Sequence, residues 1–407
     1  MHRPNPASAA GARASALLIA GLVFVAACSG PATEETQTPA AAADVTVFEG
    51  ARLITGNDEA PVENAVFTVR DGRIVEVGRA GQLQVPAGAP RVDLAGKTVM
   101  PAVVNAHMHF ADTREAIVRQ LEGLAYWGAA AAMSLGQDVT DIAFQVRDDV
   151  IPNAARLRTA GRGITTPEPG RSDAPYWIST EEEARKAVQE QAARKVDLIK
   201  IWVDDREGKY KKLTPELYGA IIDEAHKHAL RVTAHIFNLE DAKGLLRAGV
   251  DAFAHSVRDK DVDDEFVALI KERPQVVLVP NLPDRGVASD LGWLSETMPA
   301  EALTKLQDAA TDRPAAQALF GIQGRNLARL HKEGVRVAFG TDGSTVWAHH
   351  VEMADMVAAG LTPAQVITAA TRNSAEFLRL TDLGTIEAGK SADFIVLDAN
   401  PLDNITN

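Results

Sequence analysis

One cysteine in 407 residues, Cys28, leaves no partner for an intrachain disulfide and argues against a thiolate metal site or a catalytic thiol. Positive charge is also short: 42 lysines and arginines face 55 aspartates and glutamates, a formal net charge of −13. Phosphate binding needs a basic footprint, so a nucleic-acid partner is not expected. The apolar run near the start, residues 16–27 (ALLIAGLVFVAA), has the length of a signal h-region and is too short to span a bilayer. At this length the chain can bury a core the size of a barrel and still carry a smaller domain.

His2, Arg3 and Arg13 precede that run, and Val25-Ala26-Ala27-Cys28 closes it in a pattern that resembles the bacterial lipobox, where the cysteine is lipidated. Residues 1–27 are thus expected to be a lipoprotein signal peptide and Cys28 the lipidation site. Residues 28–43, small, polar and proline-bearing, read as a flexible tether. The expected location is the bacterial cell envelope, facing the periplasm or the exterior. The N-terminal lipid is the only membrane contact expected, and a homo-oligomer is compatible with the sequence.

From Asp44 the pattern turns to short β runs, with Asp71-Gly72 between alternating apolar stretches as a hairpin signal. GKTVMP adds another strand, and FIVL within IEAGKSADFIVLDAN (386–400) adds one far away. A lone C-terminal strand is marginal by itself. Residues 44–98 and 381–407 are therefore read as one small β-sandwich, with residues 99–380 inserted into it. The insert alternates eight apolar strands (103–106, 129–135, 155–160, 198–203, 231–234, 252–254, 276–279 and 335–340) with helical stretches. That alternation makes an α/β fold, a (β/α)8 TIM barrel. The second and third strands are weakly marked, and a doubly wound open sheet stays open on pattern alone.

VNAHMHF (104–110) places His107 and His109 at the end of the first strand, where i and i+2 side chains share a side. Lys200 lies in the fourth strand (DLIKIWV), His235 ends the fifth, His255 the sixth, and Asp342 the eighth (VAFGTDG). All fall at or beyond the C-terminal halves of their strands, where barrel active sites are built. His226 and His228 repeat the spacing on a helix, where they diverge by about 200° and cannot share an ion. They and His331 read as exposed helix residues. His349 and His350 could reach the pocket or sit at a helix start.

This set is similar to the amidohydrolase superfamily, in particular its binuclear-metal branch with a carboxylated lysine, of imidazolonepropionase or metal-dependent dipeptidase type. The resemblance covers nearly the whole chain after the tether. Ala102 stands where the family usually has glycine before the HxH. The resemblance implies two divalent ions, zinc first among them, held by His107, His109, Lys200, His235, His255 and Asp342, with a CO2-derived carbamate on Lys200. It further implies a metal-bridging hydroxide and Asp342 as proton shuttle in amide hydrolysis. An ordinary ammonium has no lone pair to give a metal. For Lys200 a salt bridge to Asp204 or Asp205 and a Schiff-base role also remain open.

A one-metal deaminase of the same superfamily would carry glutamate three residues after the fifth-strand histidine. Asn238 stands there instead, and the lysine is present. Lactone, ester or phosphotriester hydrolysis by the same site remains open, as does a non-catalytic binding lipoprotein. Candidate contacts to a small-molecule substrate, a dipeptide or N-acyl amino acid first, are Trp202, Asn281, Trp347, the Tyr176/Trp177 pair and Arg258. A guanidinium suits a carboxylate bidentately.

Overall fold

In the computed structural model, residues 44–407 are described. The expected signal peptide, lipidation at Cys28 and tether lie outside them. Among the described residues no helix is long and apolar enough to cross a membrane.

The chain begins with a mixed sheet. Thr46–Leu53 pairs antiparallel with Val62–Arg70, which pairs with Arg73–Arg79. Asp71 and Gly72 take φ of 50° and 69° between the last two, the left-handed turn that a two-residue hairpin needs. The other edge of Thr46–Leu53 runs parallel first to Arg91–Asp93 and then to Thr98–Pro101. Phe394–Leu397 returns from the far end of the chain to pair with Thr98–Pro101, completing six hydrogen-bonded strands in one sheet. Alternation along the strands gives each face its own core. Phe48, Phe67 and Phe394 stack and cross edge-on within one, and Val47 and Val66 belong to the other.

Between those two strands lies the parallel barrel. Val103–Met108, Ala129–Ser134 and Arg156–Thr159 pair in order. Ile164–Thr165, Ile199–Val203, Val232–Ile236, Ala252–Ala254, Val277–Val279 and Arg336–Val337 pair in the second run. Arg156–Thr159 and Ile164–Thr165 are two pieces of the third barrel strand: the Asp197 amide donates to Thr159 at 2.9 Å, and Ile201 pairs with Ile164. The ring closes where the Ala106 amide donates to the Phe339 carbonyl at 2.8 Å, so the open-sheet alternative is excluded. Small side chains such as Ala131, Ala252, Ala254 and Ala338 fill the inside with Leu198 and Val279, while larger aliphatics lie between strands and helices.

The helices carry their own start signals. Thr180 caps Glu181–Ala193 in a capping box with Glu183, and Thr214 caps Pro215–Lys227 with proline in the first turn. His226 and His228 are exposed at the end of the latter, pairing separately with Asp251 and Glu224. His331 differs from the exposed residue expected: it is half-buried, and desolvation lowers its pKa.

Candidate metal centre

The strands deliver their polar residues to the C-terminal mouth by a shared backbone device. His255, Asn281 and Asp342 have φ of 78°, 42° and 50°, left-handed values uncommon for such residues. Each follows a barrel strand, so the chain turns sharply there. Strain of this kind persists only where packing over-determines it, and it clusters at functional sites. Pairing between the first two strands also shifts register between Asn105 and Met108, where the two histidines emerge. The amides of Thr341 and Asp342 both donate to the His107 carbonyl, at 3.0 and 2.9 Å, and this stitches the first strand to the eighth.

Asp342 is the hub. Its Oδ1 lies 3.0 Å from Nε2 of both His107 and His109, and its Oδ2 lies 3.2 Å from His255 Nε2. Ligand atoms of His107, His255 and Asp342 fall within 4.8 Å of one another. The His107 ring centroid is 5.3 Å from those of His109 and of His255, and His255 is 4.7 Å from His235. The strand-spacing argument holds: the two histidines of the opening motif converge on one carboxylate.

Burial lowers the pKa of His107 to about 4 and pushes His235 and His255 well below the usual imidazole value. Burial also works to raise Asp342, but the charges and hydrogen bonds of His107, His109 and His255 outweigh it and hold the carboxyl well below its ordinary range. The two tendencies describe one arrangement at neutral pH, with His107, His235 and His255 neutral and the carboxylate ionised, which is the ligand form of both.

Lys200 points inward with Trp202, as alternation along Ile199–Val203 requires. It is 1% exposed, and among the described residues its Nζ has no hydrogen-bond partner. The salt bridge to Asp204 or Asp205 does not form: Asp204 pairs with His235 and Arg206 instead. Burial, opposed by Asp342 and reinforced by Arg258 and Arg206, lowers the Lys200 pKa to about 7. Its charge also depresses His107 and His235, which places it among the imidazoles. Space for it comes from Gly136, φ 99°, where a Cβ would fall 2.8 Å from Lys200 Cγ.

The donor chemistry fits divalent ions. Among the described residues His109 Nδ1, His255 Nδ1 and Lys200 Nζ are buried without hydrogen bonds, and His107 Nε2 has only the ionised Asp342 carboxylate beside it. So many unsatisfied nitrogens in one place are costly unless something binds them. Imidazole and carboxylate suit zinc and its first-row neighbours.

The other candidates separate. Asn281 Oδ1 meets His107 Nδ1 at 2.8 Å, so its oxygen holds a histidine in place, while its Nδ2 is buried without a partner among the described residues. Trp202, 8% exposed, packs its ring where Cβ atoms on Gly136 and Gly163 would collide, and forms wall beside Lys200. Trp347 packs edge-on to Trp293 at 5.8 Å. Tyr176 lies under Arg162, and Trp177 is 38% exposed. His349 and His350 face the Trp127 carbonyl at 2.8 and 3.1 Å. Burial lowers the pKa of Arg258 against the opposing charges of Asp342 and Asp204, and its Nε is buried without a partner among the described residues. Sequence reasoning missed the supports: Asn105, whose side chain accepts from the His107 amide, and the Asp204–Arg206–Glu168 chain. Asn105 stands two residues before His107 and Asp204 four after Lys200, so strand period was the available signal.

A closed parallel barrel with an added β domain and a histidine–carboxylate centre at its mouth defines a barrel hydrolase. Residues 98–407 match the family model described as "Amidohydrolase family", and the chain belongs to that family. It is 26% identical over 418 residues to ochratoxinase of Aspergillus niger, covering 89% of this chain and 83% of the relative. It is 27% identical over 368 residues to imidazolonepropionase of Deinococcus radiodurans, covering 83% and 86%. A solved Xaa-Pro dipeptidase with methionine bound in its active site shares the fold, with a TM-score of 0.71, 23% identity and coverage of 89% and 96%. The chain is accordingly an enzyme, a hydrolase of the amidohydrolase family.

Proposed function

We propose that this protein is a binuclear metal-dependent hydrolase that cleaves the amide bond of a dipeptide or N-acyl amino acid. His107, His109, His235, His255 and Asp342 would hold the ions, together with Lys200 once it is converted to a carbamate. The observation that carries this reading is the Lys200 amine, fully buried, without a hydrogen-bond partner among the described residues and lowered to about 7, its charge felt by His107 and His235. An amine in that state has a lone pair for the carbon of CO2. Loss of one proton leaves an N–COO⁻ group whose oxygens replace a cation with an anion.

Two divalent ions bound there would acidify water and polarise the scissile carbonyl. The remaining work falls to side chains. Asp342, ionised and with 34% of its side chain open, takes the proton of the attacking water and delivers it to the departing nitrogen. His109, 3.0 Å away, holds that carboxylate in position. Arg258 meets a substrate carboxylate, since among the described residues its Nε is buried without a hydrogen bond.

Hydrolysis of a mixed pool of dipeptides and N-acyl amino acids, after zinc loading and again after chelation, tests this. Turnover should require metal and should fall by a factor of about 10³ or more in Asp342→Asn while bound zinc is retained. Turnover of esters or phosphotriesters alone, or no turnover at all, would contradict it.

A further inference from the structure

His235 is held from behind by a chain of charged residues. Its Nε2 lies 3.0 Å from Asp204 Oδ2, and Asp204 is 6% exposed. Arg206 closes the far side: its Nη1 donates to Asp204, its amide donates to Asp204 Oδ1 at 2.9 Å, and its Nε donates to Glu168 Oε1 at 3.2 Å. Glu168 is 1% exposed and also accepts from Arg171 at 2.6 Å. Arg206 and Glu207 have φ of 54° and 59°, a tight left-handed turn that folds the guanidinium back against the strand it has just left. Two carboxylates and two guanidiniums make the assembly neutral.

That arrangement chooses a tautomer. A carboxylate oxygen only accepts, so an unprotonated Nε2 at 3.0 Å would set two lone pairs against each other, whereas Nε2–H gives a charge-assisted bond. Arg206 Nη1 lies 3.2 Å from the same nitrogen with a second hydrogen to offer, but Asp204 Oδ2 is the closer group at 3.0 Å and can only accept, which favours Nε2–H. Nδ1 of His235 is then the nitrogen with a free lone pair. His107 differs, since both of its ring nitrogens face oxygens: Nδ1 lies 2.8 Å from Asn281 Oδ1 and Nε2 lies 3.0 Å from Asp342 Oδ1.

We infer that Asp204, clamped by Arg206 against Glu168, is a positioning residue that fixes His235 in its Nε2–H form and presents Nδ1 to a metal ion. This rests on the reading of His235 as a ligand. Outer-shell carboxylates of this kind are typically worth about 10–100-fold in metal affinity.

Two measurements on the full chain test it. In metal-free protein with ¹⁵N-labelled histidine, the His235 ring should show a protonated Nε2 and a pyridine-type Nδ1. Zinc affinity by chelator competition should fall about 10–100-fold in Asp204→Ala, less in Glu168→Gln, and recover in Asp204→Asn, whose amide oxygen still accepts. A wild-type ring protonated at Nδ1 overturns the inference whether or not the alanine variant folds, as does a folded Asp204→Ala with unchanged zinc affinity. A wild-type Nε2–H ring in a chain that binds no zinc supports the positioning role and sinks the metal reading alone.

Discussion

Lys200 and His107 carry the account at the scale of single residues, because burial works against the charged form of each and the Asp342 carboxylate offsets it only in part. His107 has its pKa lowered to about 4 against an ordinary 6.5. A group depressed on folding contributes stability that is complete above the unfolded value and is lost as pH falls through the folded one. Metal-free protein should therefore lose up to about 3 kcal/mol from this residue between pH 6.5 and pH 4. Urea unfolding of wild type and His107→Asn at pH 7 and pH 4 checks this. The wild type should lose more stability over that interval, and equal losses would contradict the assignment. The paired histidines were legible because two-residue spacing in a strand has one geometric meaning. Asn281 and Asp204 were not, because each works through a histidine 174 or 31 positions distant, a pairing only the closed barrel creates.

At the scale of elements, the strand ends do the aiming and the glycines beside them make the room. Gly136→Ala adds a methyl group 2.8 Å from Lys200 Cγ, at a φ of 99° that L-residues rarely adopt. Overpacking and backbone strain together should cost about 1–3 kcal/mol, and turnover should drop because Lys200 is displaced. Thermal unfolding and activity on one preparation check this; a variant with wild-type values in both would show that the cradle is slack. Six strands were plain in the sequence. Ala129–Ser134 was faint because its interior positions are alanines, which carry no contrast between faces. The third was faint because Ala160–Gly163 divides it into two short pieces. Helix starts were easier, since Thr180 with Glu183 and Thr214 with Pro215 are local signals.

The first and last strands of the described region belong to one sheet. Phe394–Leu397 covers the edge of Thr98–Pro101, and Ile395 reaches the core of the barrel, so the small sheet and the barrel share apolar packing. The glycine turn followed by FIVL made this return legible, because a strand without neighbours in sequence has to find them elsewhere. What neither composition nor pattern could tell is the use of the empty lone pairs at the mouth. Native mass spectrometry of the intact chain measures that directly. Wild type should carry two divalent ions and the added mass of one CO2, and Lys200→Ala should lose the CO2 mass together with most activity, partly restored by small carboxylic acids. A wild-type chain that binds no metal under zinc-replete conditions, or a Lys200→Ala chain with full activity, would contradict the account.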